Sequence, residues 1–218
     1  SGFYDDFVNP LLGQGAKVAV IISDAMRYEV GEALRSQIVR EGRFTAEIEN
    51  MLGMLPSYTQ LGMAALLPNK TVEILPDGNV AVNNLSALGT ENRGKILAAR
   101  LPNETSVLLS ADLEKMTWDE RRGLFRNNQV VYVYHNQIDA VGDKLSEEEK
   151  TVEAIVQTLD KVTDLIKLLT NANFTKILVT SDHGFLYQHQ DIDESDFAVT
   201  DIEGKKIYSK NKPKERSG

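Results

Sequence analysis

One short run constrains this chain more than any other: Lys176-Ile177-Leu178-Val179-Thr180-Ser181 closes abruptly on Asp182-His183-Gly184. A β-branched and leucine-rich run of four to eight residues, bounded by turn residues, predicts a strand covered on both faces, as in a parallel sheet. Sheets of that kind bind ligands just outside the carboxyl ends of their strands. Asp182 and His183 therefore stand where chemistry is expected.

The pattern recurs along the chain. Residues 17–23 (KVAVIIS), 105–109 (TSVLL) and 129–134 (QVVYVY) each predict a buried strand. The first runs into Asp24 and a helix expected to continue from there to about Arg40, and the third into His135 and then Asp139 and Asp143. Residues 43–49 (RFTAEIE) alternate and predict a further strand. Pro56 interrupts the loop that follows, and a helix is expected over residues 59–67. Asp77-Gly78 between two short runs predicts a hairpin over residues 71–83. Residues 86–100 have helical pattern despite Gly89 and Gly94. Thr117-Trp118-Asp119-Glu120 and Ser146-Glu147-Glu148-Glu149 are capping boxes. The second opens the longest helix, whose Val152, Ile155, Val156, Leu159, Val162, Leu165, Ile166 and Leu169 form one apolar stripe. The expectation is an α/β fold: a mostly parallel, doubly wound sheet flanked by helices, with a small β-hairpin excursion, in a single domain over residues 1–218.

Composition excludes several function classes. With no cysteine there is no disulfide, thiol catalysis or thiolate metal site, so a metal here takes Asp, Glu, His and hydroxyl ligands. No apolar run approaches the roughly 18 residues of a membrane span. Residues 1–16 carry Asp5, Asp6 and Pro10 rather than a basic and then apolar leader, so a cytoplasmic location is expected. A net charge of −8 argues against a general nucleic-acid-coating surface. The lysine-rich end, residues 204–216, reads as a solvated tail or a local basic patch, and residues 188–218 as a tail.

Three predicted strands thus end in carboxylates, at Asp24, Asp139 and Asp182, with His183 after the last. Each Asp taken alone also fits a helix N-cap or a turn. Converging carboxylates repel one another unless a cation lies between them, and a divalent ion suits an oxygen and nitrogen donor set.

These blocks, in this order over about residues 17–187, resemble the alkaline phosphatase superfamily and, within it, the PglZ family. The resemblance implies an alkaline-phosphatase-like fold and a metal-dependent phosphoric ester hydrolase, a phosphatase or a phosphodiesterase. It assigns Asp24, from IISDAMRYE, and the Asp182-His183 pair to one metal. It makes Thr59, in Pro56-Ser57-Tyr58-Thr59 ahead of a helix, the nucleophile lying between two metals, with Ser57 competing for the same place. The other metal would take Asp139 and Asp143, the latter replacing a histidine as PglZ segments of the form His-Asn-x-x-Asp-x-x-Gly-Asp do. A further C-terminal histidine of the superfamily has no match, since His189 lies too close to the Asp-His pair. The chain is therefore expected to be part of a longer protein.

A threonine hydroxyl has far too high a pKa to attack phosphorus unaided, and metal coordination generates the alkoxide near neutral pH. A helix starting at Thr59 would also aim backbone N–H groups at the phosphate. One or two divalent ions are expected, Zn²⁺, Mn²⁺ or Mg²⁺, with Asp143 shifting preference towards Mn²⁺ or Mg²⁺. His135 would orient a carboxylate or contact phosphate, and Arg27 and Tyr28 would reach substrate. The resemblance also implies bacterial phage-defence systems, with their other components as partners and DNA as ligand or substrate; the lack of a long apolar run adds the expectation of no membrane. The alternative is a catalytically silent module serving as a binding or scaffold component of such a complex.

Overall fold

The computed structural model describes residues 2–136 and 148–184, with side chains in the second segment from residue 154. Asp139, Asp143, the capping box at Ser146, His189 and the tail over residues 188–218 lie outside the described residues.

Four strands form a parallel sheet in the order β5-β6-β1-β7: β1 (Val18–Ser23), β5 (Thr105–Leu109), β6 (Val130–His135) and β7 (Lys176–Thr180). These are the four apolar runs. In register, Ser23 stands opposite His135, and Ile22 opposite both Tyr134 and Thr180, so the strands end at one level. Alternation divides each strand between two cores. Val18, Val20, Ile22, Val130, Tyr132 and Tyr134 face one side, with Leu61, Leu66 and Leu97. Ala19, Ile21, Val131 and Val133 face the other, with Leu34, Leu113, Leu165, Leu169 and Phe174. Each fully buried aliphatic side chain stabilises by about 1.5–3 kcal/mol, which is why continuous apolar runs, rather than alternating ones, mark a sheet covered on both faces.

The helices follow. A π-helical turn (Tyr4–Val8) leads into α1 (Asn9–Gly13). Then come α2 (Tyr28–Arg40), α3 (Thr59–Ala65), α4 (Gly89–Arg100), α5 (Ser110–Lys115), α6 (Trp118–Asn127) and α7 (Glu148–Asn171). The hairpin expected around Asp77-Gly78 is present as β2 (Val72–Ile74) and β3 (Val80–Val82), extended by β4 (Leu85–Ser86). The Thr117 capping box is complete, with Glu120 N–H donating to Thr117 Oγ1 at 3.3 Å and Thr117 N–H to Glu120 Oε2 at 2.7 Å.

Three expectations are corrected. Residues 43–49 are not a strand; Phe44 and Ala46 pack on the Leu34 core without a ladder to any strand, so their alternation reports a packing face. On α7, Val156 is 52% exposed while its neighbours Ile155 and Leu159 pack inward, so the stripe is narrower than the periodicity implied. The second helix begins at Tyr28, four residues after Asp24, for a reason that belongs to the site.

Candidate metal and nucleophile site

At the carboxyl end of β1 the backbone turns sharply instead of entering a helix. Asp24 N–H donates to His135 O at 2.7 Å, continuing the pairing of β1 with β6 one residue past the strand. Ala25 then takes a positive φ of 59°, a conformation strained for a residue with a Cβ. What holds it is long-range: Ala25 N–H donates at 3.1 Å to Oδ1 of Asp182, 157 residues away. Arg27, not Asp24, occupies the N-cap position of α2, which leaves the Asp24 carboxylate at the strand end.

The chain turns again past β7. Ser181 Oγ donates to His183 O at 2.5 Å, folding the Asp-His pair back over the sheet edge. The carboxylates of Asp24 and Asp182 and the ring of His183 offer ligand atoms that lie within 4.8 Å of one another. Both Asp residues are buried, each 6% exposed. His183 Nε2 stands 3.3 Å from Asp182 Oδ2 and 3.7 Å from Asp24 Oδ1.

Thr59 completes the group. Tyr58 is the N-cap residue of α3, in extended conformation, and Thr59 is the first helical residue. Its hydroxyl is therefore not spent as an N-cap; Thr59 Oγ1 lies 3.0 Å from His183 Nε2. What brings α3 so close is Gly62, one turn further on. A Cβ there would fall 2.7 Å from the carbonyl carbon of Asp182 and 2.9 Å from its Cβ, so only glycine lets the helix rest on the Asp182 backbone.

The hydrogen bonds fix the tautomer of His183. Its Nδ1 is 3.0 Å from Gly184 O, and a carbonyl can only accept, so Nδ1 carries the proton. With Nδ1 as the donor, Nε2 is the ring atom that faces Thr59 and two carboxylates and is available to a cation. Asp182 Oδ2 is buried and accepts no hydrogen bond among the described residues. Lone pairs facing one another in a buried gap are unfavourable without a cation or a proton between them. The donor set of two carboxylates, an imidazole nitrogen and a hydroxyl fits a divalent ion of the Zn²⁺, Mn²⁺ or Mg²⁺ kind.

Other sequence-predicted residues fall nearby or apart. Ser57 is exposed and makes no hydrogen bond to this group among the described residues. Arg27 pairs with Glu29 at 3.1 Å at the rim, beside Tyr28, which is 57% exposed. His135 is buried, and its Nδ1 lies 3.3 Å from Ser23 Oγ, so it braces the backbone that carries Asp24 rather than a carboxylate. Burial, reinforced by Lys161, lowers its pKa to about 4, keeping it neutral near pH 7. The sequence reading missed Gly62 and Ser181, although a glycine one turn past the proposed nucleophile was a usable signal. It also missed the Arg93 guanidinium, 4.8 Å over the ring of Tyr134 at the same sheet edge. Burial there pushes the Tyr134 hydroxyl to about 12.

Comparison with known proteins bears on the same features. The family model for the BREX system PglZ alkaline phosphatase-like domain matches residues 3–214. The alkaline phosphatase-like protein BrxZ of Escherichia coli O9:H4 (strain HS) is 42% identical over 215 residues, covering 96% of this chain and 24% of that protein. The alkaline phosphatase-like protein PglZ of Bacillus cereus (strain H3081.97) is 38% identical over 211 residues, covering 94% and 25%. The chain thus spans about a quarter of the length of these curated relatives. With a family match over nearly its whole length, on a parallel sheet that gathers Asp24, Asp182 and His183 at one edge, the chain belongs to the PglZ alkaline phosphatase-like family.

Proposed function

We propose that this domain is a metal-dependent phosphoric ester hydrolase in which Thr59 is the nucleophile. The observation that carries the reading is the 3.0 Å approach of Thr59 Oγ1 to His183 Nε2, beside the buried carboxylates of Asp24 and Asp182. Asp24, Asp182, His183 and Thr59 would hold one divalent ion, and Asp139 and Asp143 are proposed ligands of a second. A divalent ion held there would supply Lewis acidity, which lowers the cost of the threonine alkoxide and offsets charge on the phosphoryl oxygens.

The chain's own residues set the geometry. Thr59 sits at the start of a helix of only seven residues, so α3 contributes position. Gly62 against Asp182 fixes the distance between nucleophile and ligands. The Nδ1–H of His183, tied to Gly184 O, keeps Nε2 available. Ala25 N–H neutralises part of the Asp182 charge and orients its second oxygen into the gap.

The setting is proposed by family. The BREX description of the matching family supports a role in a bacterial phage-defence system, with its other components as partners; DNA as a ligand or substrate is proposed from the family resemblance alone. No described helix is long and apolar enough to cross a membrane, and a cytoplasmic location is proposed.

The test is hydrolysis of an aryl phosphomonoester and an aryl phosphodiester by wild type, Thr59→Ser and Thr59→Ala, with each divalent ion added in turn. Turnover is expected for wild type, reduced for the serine variant, and lost by at least about a thousandfold for alanine. Undiminished turnover in Thr59→Ala would remove the nucleophile assignment. A chain that binds no divalent ion would favour the catalytically silent scaffold instead.

A further inference from the structure

Beside the Asp182-His183 turn lies a cavity of about 300 Å³. It shares those two residues with the ligand group but includes neither Asp24 nor Thr59, so it opens to one side of the reacting centre. Part of its wall is apolar and adaptable, formed by Met26, Ile48, Met51 and Met54, while Tyr28, Asn50, Thr180 and Ser181 add polar groups. Gly31, Gly53, Gly62 and Gly184 also line it, and a Cβ at Gly53 would meet no heavy atom within 4 Å. Glycine exposes flat backbone surface, and methionine sulfur makes favourable contacts with aromatic rings. The lining cation, Arg27, is already paired with Glu29 at the rim, and Glu49 adds a negative charge, so the interior does not suit a second phosphate.

We propose that this cavity is the substrate's second subsite, which takes a flat, apolar group ester-linked to the phosphoryl group held at Thr59 and His183. The inference rests on the hydrolase reading and deepens it. Phosphate esters carrying an aryl or heteroaryl ring fit this lining, because a flat ring buries its faces against methionine and glycine. A volume near 300 Å³ is at the small end of ligand pockets and matches one ring system, not a chain of them.

The experiment compares two non-hydrolysable probes with the same charged head, methylphosphonate and phenylphosphonate, binding the full 218-residue chain with Mg²⁺ or Zn²⁺ present. The readout is the ¹³C-methyl NMR spectrum of its five methionines, which needs no turnover. Phenylphosphonate should bind at least about tenfold tighter, from the added apolar burial. It should shift the methyls of Met26, Met51 and Met54 but not those of Met63 and Met116, which do not line the cavity. Met51 is 40% exposed, so Met51→Ala keeps the fold; it should reduce phenylphosphonate affinity about threefold and leave methylphosphonate unchanged. Equal affinity for the two probes, or phenylphosphonate binding without shifts at the lining methyls, overturns the subsite while the hydrolase reading stands. Failure of both probes to bind overturns the hydrolase reading and the subsite with it.

Discussion

Gly62→Ala is the smallest change that reaches the centre of the site. The added Cβ would lie 2.7 Å from the Asp182 carbonyl carbon and 2.9 Å from its Cβ, and closer still to its carbonyl oxygen. Ordinary carbon contacts are about 3.5–4.0 Å. The neighbour is backbone, with no side chain to swing away, so α3 and the Asp182 turn must separate by about 1 Å. Two terms oppose each other. Alanine in a helix gains up to about 1 kcal/mol over glycine, while forcing a methyl into a filled contact costs about 1–3 kcal/mol. The net expectation is a loss of about 1–2 kcal/mol. Thr59 lies one turn away on the same helix and His183 next to Asp182, so the separation opens the 3.0 Å Thr59–His183 contact. A displacement of that size costs about a hundredfold in rate. Urea denaturation and aryl phosphate hydrolysis read the two effects, with Gly123→Ala as the control. Gly123 is an exposed position of α6 with nothing within 4 Å of its would-be Cβ, so alanine there should stabilise by about 0.5–1 kcal/mol. If Gly62→Ala gained stability as Gly123→Ala does and kept full activity, the close approach of α3 to Asp182 would not be setting the site's geometry.

Two further outcomes follow from the scaffold. His135 has a folded pKa of about 4 against 6.5 for the unfolded chain, so between these values the unfolded state binds the extra proton. The stability it confers is fully present above pH 6.5 and is lost as pH falls towards 4, a span on the order of 3 kcal/mol; the fall in urea midpoint from pH 7.5 to 4.5 should be smaller in His135→Gln, and identical slopes would refute this. Thr117→Ala removes the hydroxyl that accepts Glu120 N–H and should cost about 1 kcal/mol, with Glu120→Ala adding little on top because the two bonds belong to one box; additive losses in a double-mutant cycle would count against the reciprocal pairing.

The sheet was legible because its strands bury both faces: the runs at residues 17–23, 105–109, 129–134 and 176–181 each correspond to an observed strand within a residue or two. Local chemistry made the Asp77-Gly78 hairpin and the Thr117 box legible as well. What failed depended on partners distant in sequence. Residues 43–49 alternate like a strand, yet alternation records only which side is buried, and no ladder partner is present among the described residues. The start of α2 was placed at Asp24 because nothing local reveals that Asp182 captures Ala25 N–H and holds it at positive φ. Likewise only the fold shows Tyr58 at the N-cap of α3 and the threonine hydroxyl of the next residue on His183. α5 and the turns before β1 have too few residues to display a period.

The proposed chemistry requires a divalent ion held by Asp24, Asp182 and His183 against Thr59. Anomalous diffraction from crystals grown with Mn²⁺ or Zn²⁺ addresses it directly. A peak is expected in the gap between these side chains, with ligand distances of about 2.0–2.2 Å to the carboxylate oxygens and His183 Nε2. An empty gap at saturating ion, with Asp24 and Asp182 still in place, would contradict it.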